Sequence, residues 1–288
     1  MLSKAIKVMW FQLKQNITST RVILLFSLIS IFTFSTIRPV NDFANAFGIG
    51  ITPWVFSLFT NDYVCQLVIM AGVILLFCNA PFRNEIYNYI LPRAGNAAWM
   101  LGMVLYIIIL SLIYVLLIFA VGVFVVMPNI EFEMGWGKTW GSLALGGFST
   151  QFRIPFSVNE YIIGAYSPLR ATVTSVFLEW ACCVFLGLVT YFFNNATNTM
   201  IGSLIAAAFV FLDITIANEW SYAFYQISPV TMAQIHTLTS SKSMYGLTLS
   251  YAVHFFAVSI ILLSTSCIAT PYIKKKLTLW KQRKEMAA

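Results

Sequence analysis

The sequence predicts an all-α polytopic membrane protein with six transmembrane helices and both termini in the cytoplasm. Three observations carry that reading. Hydrophobic residues make up 59% of the 288 and charged ones only 9%, with a mean hydropathy of +0.82, too little polar side chain to cover a water-soluble surface. Six apolar windows approach the roughly 20 residues needed to cross about 30 Å of hydrocarbon. Lysine and arginine divide unevenly between the two sides that those windows define.

Taken in order, residues 1–20 form an N-terminal amphipathic interfacial helix, with Ile6, Met9, Trp10 and Leu13 at helical spacing and Lys4, Lys7 and Lys14 on the remainder. A six-helix bundle follows over 21–270, with windows at 22–37, 63–78, 99–127, 171–193, 199–217 and 246–270; 271–288 is a basic tail, and the whole is one domain. The first window begins only after Arg21 and lacks a small-residue cleavage pattern behind it, so it is expected to remain as a span. The third is long enough to tilt, and Trp99 stands where an aromatic belt would lie. A tight turn at 194–198 joins the fourth and fifth.

An even number of spans puts both ends on one side. That side holds Lys4, Lys7, Lys14, Arg21, Arg83, Arg93, Lys274, Lys275, Lys276, Lys281, Arg283 and Lys284, against Arg38, Lys138, Arg153, Arg170 and Lys242 on the other. The bias assigns the first set to the cytoplasm of a bacterial plasma membrane. Anionic lipid accounts for the net charge of +7 without nucleic acid. Of the two outer segments, 128–170 is interrupted by glycines and offers Trp136 and Trp140 as interfacial seats, so it is expected to lie on or dip into the outer leaflet. The other, 218–245, turns polar around Ser228-Pro229, a start signal for short helices capping the bundle.

Chemistry-bearing motifs are scarce. Cys65, Cys78, Cys182, Cys183 and Cys267 lie in apolar runs without metal-ligand spacing and read as small buried hydrophobes. Gly137-Lys138-Thr139 fails as a phosphate loop, because Phe132 stands where the leading glycine is required. The chain is therefore expected to bind no cofactor and to hydrolyse no nucleotide. Gly-x-Ser-Gly, His-Glu-x-x-His and paired intramembrane aspartates are missing too; Ser250 and His254 stand one helical turn apart with no acid beside them in sequence. No catalytic residue is assigned.

Glu179, Asp213 and His254 are the ionisable residues within windows, each costly if left facing lipid. At 1.5 Å per residue they lie about 13, 6 and 10 Å from the outer ends, so they are expected to face the bundle interior, with Glu179 and His254 paired or bridged. Asp213 opposes the macrodipole at a helix C-terminus and requires a partner if buried. They serve as glue between helices or line a pathway.

The segment 81–93 is short, charged and amphipathic, pinned between the second and third windows. Phe82, Ile86 and Ile90 fall on one helical face, Arg83, Asn84 and Asn88 on the other, and Pro92 is expected to end the helix before Arg93. Such a helix is marginal alone and requires a partner. With these parts in order, the chain resembles the permease subunits of type-2 ATP-binding cassette (ABC-2) transporters of the bacterial peptide and drug exporter kind. The resemblance implies that 82–91 is a cytoplasmic coupling helix docking on a separate ATPase, with Phe82, Arg83, Glu85, Tyr87, Tyr89 and Arg93 as contacts. It also implies ATP and magnesium in that partner, a second permease copy or homologue, and export of a hydrophobic or amphipathic cargo such as a peptide, an antimicrobial or a lipid-like molecule. The 25 Phe, 13 Tyr and 8 Trp suit such a cargo. Ion-coupled or passive transport by the chain alone, or a membrane-embedded sensor or scaffold, are the other readings; matching broken helices in two halves would favour the former, and no such repeat is visible.

Overall fold

The computed structural model describes residues 1–82, 87–218, 222–238 and 247–287, with side chains within those ranges except at 222, 223 and beyond 271. Among the described residues the regular elements are helical, apart from one isolated parallel bridge between Ile51 and Ile130. In chain order they are α1 (Leu2–Ile17), α2 (Thr20–Phe47), α3 (Val55–Phe59), α4 (Tyr63–Phe77), α5 (Tyr87–Ala94), α6 (Asn96–Val126), α7 (Gly137–Leu145), α8 (Phe148–Gln151), α9 (Glu160–Ala165), α10 (Pro168–Thr197), α11 (Ile201–Ala217), α12 (Pro229–Ala233) and α13 (Leu249–Ala287). Helices α2, α6, α10 and α13 are long and apolar enough to cross a membrane, and α4 and α11 are shorter apolar helices of 15 and 17 residues. The protein is thus a multi-pass helical membrane protein. Leu24, Leu28, Ile31, Leu204, Phe211 and Ile261 expose apolar surface on those helices, the placement that lipid rather than water rewards.

Helix α1 packs along α6. Its buried stripe is Ala5, Val8 and Gln12, at i, i+3 and i+7, with Leu13 beside it, and Gly102 of α6 admits the close approach: a Cβ there would come within 2.7 Å of Val8. Of the predicted apolar face, Leu13 is buried against the bundle, while Ile6 and Trp10 are exposed away from it. Small residues, rather than the largest apolar ones, set which side of α1 meets the bundle.

The first long helix runs well past the predicted 37. Ser19 caps it, Pro39 is accommodated inside it, and it ends at Gly48, whose φ of +62° suits the left-handed C-terminal position. Its polar extension is tied down by Asn41, whose Nδ2 donates to the Val125 carbonyl at 2.8 Å. Helix α4 is capped at both ends by charge. Asp62 Oδ1 accepts from the Val64 and Cys65 amides at 3.0 and 3.2 Å, and at the far end Arg21 Nη2 donates to the Leu76 carbonyl at 3.1 Å. In its middle, Tyr114 of α6 fits over Gly72 and donates to the Ile69 carbonyl at 2.9 Å.

The turn between α10 and α11 is built by Asn194. Its Nδ2 donates to the carbonyls of Cys78 and Ala80 at 3.2 and 3.1 Å, and its Oδ1 accepts from the Gly202 amide at 2.8 Å. Four of the cysteines are buried and Cys78 half-buried, all five as free thiols. At the C-terminus, α13 continues through Pro271 to Ala287, so the predicted tail is the extension of the last helix.

Two aromatic expectations are corrected. Trp99 is buried, with Tyr87 edge-on to it at 4.9 Å, and is no belt residue. Trp140 is buried and donates from Nε1 to the Thr52 carbonyl at 3.1 Å, while Trp136 Nε1 donates to Tyr166 O at 2.9 Å. These bonds fold 128–170 back on the bundle end as a protein-packed cap: Thr139 Oγ1 reaches Gly50 O at 2.7 Å and Thr52 Oγ1 reaches Trp136 O at 2.8 Å. Indole and hydroxyl donors find buried carbonyls here, and that displaces a seat in headgroups.

Candidate functional site

The α3–α4 corner, the C-terminal end of α11 and the α12 turn converge, under the 128–170 cap, on a polar cavity of about 320 Å³. Asp213, Thr231, Gln234, His236, Asn61 and Ser157 are among its walls. Local sequence explains the turn: Ser228 is the N-cap of α12, its Oγ accepting from Thr231 N at 3.3 Å, and Pro229 occupies the first helical position, where its missing N–H costs nothing.

Asp213 is 3% exposed and holds the turn to α11. Its Oδ1 accepts from Thr231 Oγ1 at 2.6 Å and its Oδ2 from Gln234 Nε2 at 2.9 Å. The Thr231 proton is committed to the carboxylate, so the Ser228 hydroxyl, 2.8 Å away, donates to Thr231 Oγ1. Asp213 therefore has the partners that its position demands, without snorkelling.

Asn61 anchors the following 3₁₀ turn (Ile235–Thr237). Its Nδ2 donates to the Ser57 carbonyl, leaving Oδ1 to accept from His236 N at 2.9 Å and to face His236 Nδ1 at 3.1 Å. That contact places the imidazole proton on Nδ1 and leaves Nε2 as an acceptor. Burial pushes the His236 imidazole down to about 4, with the charge of nearby Asp62 opposing, so the ring is neutral near pH 7. Asp62 also binds the cap: its Oδ2 accepts from Ser157 N at 3.2 Å and from Ser157 Oγ at 3.3 Å.

The other predicted intramembrane residues do not pair. Glu179 is 1% exposed, and its Oε2 accepts from Gln66 Nε2 of α4 at 3.3 Å. His254 instead sits on an exposed face of α13, with Nδ1 2.6 Å from its own helix's Ser250 carbonyl and 3.4 Å from Ser250 Oγ. The expected Glu179–His254 pair is corrected accordingly: α10 turns Glu179 inward to α4, and an i to i+4 contact satisfies the histidine locally. The remaining Glu179 and Gln66 oxygens, with Ser175 Oγ and Thr172 Oγ1, are buried polar atoms without a protein partner among the described residues.

At the opposite end of α4, the cluster predicted to dock a partner is partly reshaped. Phe82 is outside any helix, with φ of +51°, and buried edge-on against Tyr106 at 5.4 Å. Helix α5 is described over Tyr87–Ala94, and Arg83 and Glu85 lie outside the described residues. Pro92 does not end it; Gly95 does, at φ +85°, its amide donating to the Leu91 carbonyl at 2.8 Å. Tyr87 is held by Trp99, while Tyr89 is 76% exposed and Arg93 is exposed beside Lys4, whose Nζ donates to the Arg93 carbonyl at 3.0 Å. Of the six predicted contacts, then, Tyr89 and Arg93 are presented outward and Phe82 serves the core.

Sequence reasoning did not pick out Asn61, Ser157, Gln234 or His236. The available signal was the polar residues Thr231, Gln234, His236 and Thr237 shortly after Ser228-Pro229, one of them among only two histidines. Comparison with protein-family models, curated proteins and solved structures gives no match, so function rests on this geometry and on the topology.

Proposed function

We propose that the chain is the membrane-spanning permease subunit of an ATP-binding cassette exporter. On this reading α2, α4, α6, α10, α11 and α13 are six spans in a bacterial plasma membrane, with both termini and α5 on the cytoplasmic side and the polar cavity on the outer side. The short α4 and α11 reach about 23 and 26 Å at 1.5 Å per residue, a little under the hydrocarbon thickness. The α3 corner and the α12 turn continue them.

The observation that carries the reading is α5: a short helix joining two membrane helices, braced through Tyr87 and Lys4, with Tyr89 and Arg93 facing outward. A push on so braced a helix is delivered to α6 and α1 rather than absorbed in a loose loop. ATP and magnesium would be held by the docked ATPase, which supplies the work of transport. This chain contributes α5 as the lever, half of an apolar and aromatic pathway, and the surface against a second permease copy and membrane lipid. The cargo class is hydrophobic or amphipathic: a peptide, an antimicrobial or a lipid-like molecule.

The test is isolation of the tagged full chain from its native membrane followed by assay of vanadate-sensitive ATP hydrolysis in the eluate. ATP hydrolysis that co-purifies and falls with Tyr89→Ala plus Arg93→Glu, at unchanged membrane content, is the expected result. Export of cargo without any associated ATPase would favour a transporter working alone.

A further inference from the structure

We propose that the cavity walled by Asp213, Gln234 and His236 binds a primary ammonium group. Charge is the first argument. Asp213 contributes a carboxylate to the wall, and among the described residues no lysine or arginine lines the cavity and Asp213 forms no ion pair. An anionic ligand would meet that carboxylate uncompensated, whereas a cation completes it.

Hydrogen-bonding capacity is the second. Each Asp213 oxygen accepts one protein donor and keeps a further lone pair. Gln234 commits its Nε2 to Asp213, so it turns Oε1 to other donors, and His236 commits Nδ1 to Asn61, which leaves Nε2 as an acceptor. Three cavity-lining residues thus carry acceptor capacity beyond their protein bonds, and an R–NH₃⁺ group carries three donors.

Size and shape are the third. About 320 Å³ is far more than a bare ion fills and falls at the low end of small-molecule pockets. Ile216, Ala217 and the Tyr63 ring add apolar wall for a short alkyl stem. The same ammonium chemistry is presented by a free amine and by the lysine side chain or amino terminus of a peptide.

The inference stands apart from the transport reading, because binding to the isolated chain needs no ATPase. The experiment is calorimetric titration of the full chain, in nanodiscs of zwitterionic lipid near neutral pH, with n-butylamine, n-butanol and a lysine-bearing tripeptide amide. Saturable binding of n-butylamine without binding of n-butanol is expected, weakened about tenfold or more by Asp213→Asn, as loss of a charge-assisted bond implies. Should Asp213→Asn not fold, Ala217→Lys carries the test: a lysine at the cavity wall supplies the ammonium from within and abolishes butylamine binding, while Ala217→Met retains it. Tighter binding of the tripeptide than of butylamine identifies a peptide amine as the ligand; equal or weaker binding identifies a free amine. Equal binding of n-butanol, butylamine binding unchanged in Ala217→Lys, or no saturable binding at all would overturn the proposal.

Discussion

Beyond the charged caps that both ends of α4 share, Arg21 at one and Asp62 at the other, the surroundings of the two ends differ in how they hold charge. Toward α5, the cations Lys4, Lys7 and Arg93 are exposed around a surface groove, and the contact between α1 and α5 leaves the Arg93 guanidinium outward. Toward α12, Asp62 and Asp213 are buried with each oxygen engaged, and among the described residues no cation bonds to either. An exposed charge in high dielectric contributes little to stability and remains free to recognise a partner. A buried one is tied to the fold, since each of its partners becomes an orphan when it is removed. On the proposed reading the first end serves docking, while the second holds the walls of a cavity in place.

Asp213→Ala is the largest predicted way to break this contrast. It leaves the Thr231 hydroxyl and the Gln234 amide without an acceptor in a buried turn, a loss of roughly 2–5 kcal/mol read from denaturant unfolding in detergent. Asp62→Ala comes next. It removes the α4 cap together with the bonds to Ser157, about 2 kcal/mol by the same assay, with the 128–170 cap becoming more protease-sensitive.

A pH titration sharpens the contrast from a different side. The folded value of His236 lies at about 4, below its ordinary 6.5, so protonation favours the unfolded chain. Its contribution is complete above about pH 6.5 and is lost as pH falls toward 4. The unfolding midpoint should decline over that window, and His236→Gln should flatten the part of the decline that the imidazole causes. At the α5 end, Arg93→Glu should change stability by no more than about 0.5 kcal/mol while altering partner binding. A stability loss there as large as that of Asp213→Ala would erase the distinction between the ends.

The same contrast decides what was legible in the sequence. Apolar runs and basic clusters are local signals, so the helices, the amphipathic α1 and the exposed Tyr89 and Arg93 could be read from neighbouring residues. So could the Ser228-Pro229 start of α12. The cavity could not, because His236 meets Asn61 across 175 residues and Ser157 meets Asp62 across 95. Burial of Trp140 was hidden for the same reason: the carbonyl that satisfies its indole belongs to Thr52. Glu179 was correctly read as facing inward, but its partner Gln66 lies in another window and carries no charge to announce it. Phe82 misled because it was placed on a helical face with Ile86 and Ile90, whereas it lies outside any helix at φ of +51° and packs its ring against Tyr106.

The most direct test is labelling by a membrane-impermeant maleimide of Tyr89→Cys and Met134→Cys in intact cells, with Cys78 replaced by serine; the other four cysteines are buried. Both sites are highly exposed, one beside Arg93 and the other in the loop that packs on the cavity end. Met134→Cys is expected to label in intact cells and Tyr89→Cys only after permeabilisation. Labelling of both from the same side, or the reverse order, would contradict the proposed topology.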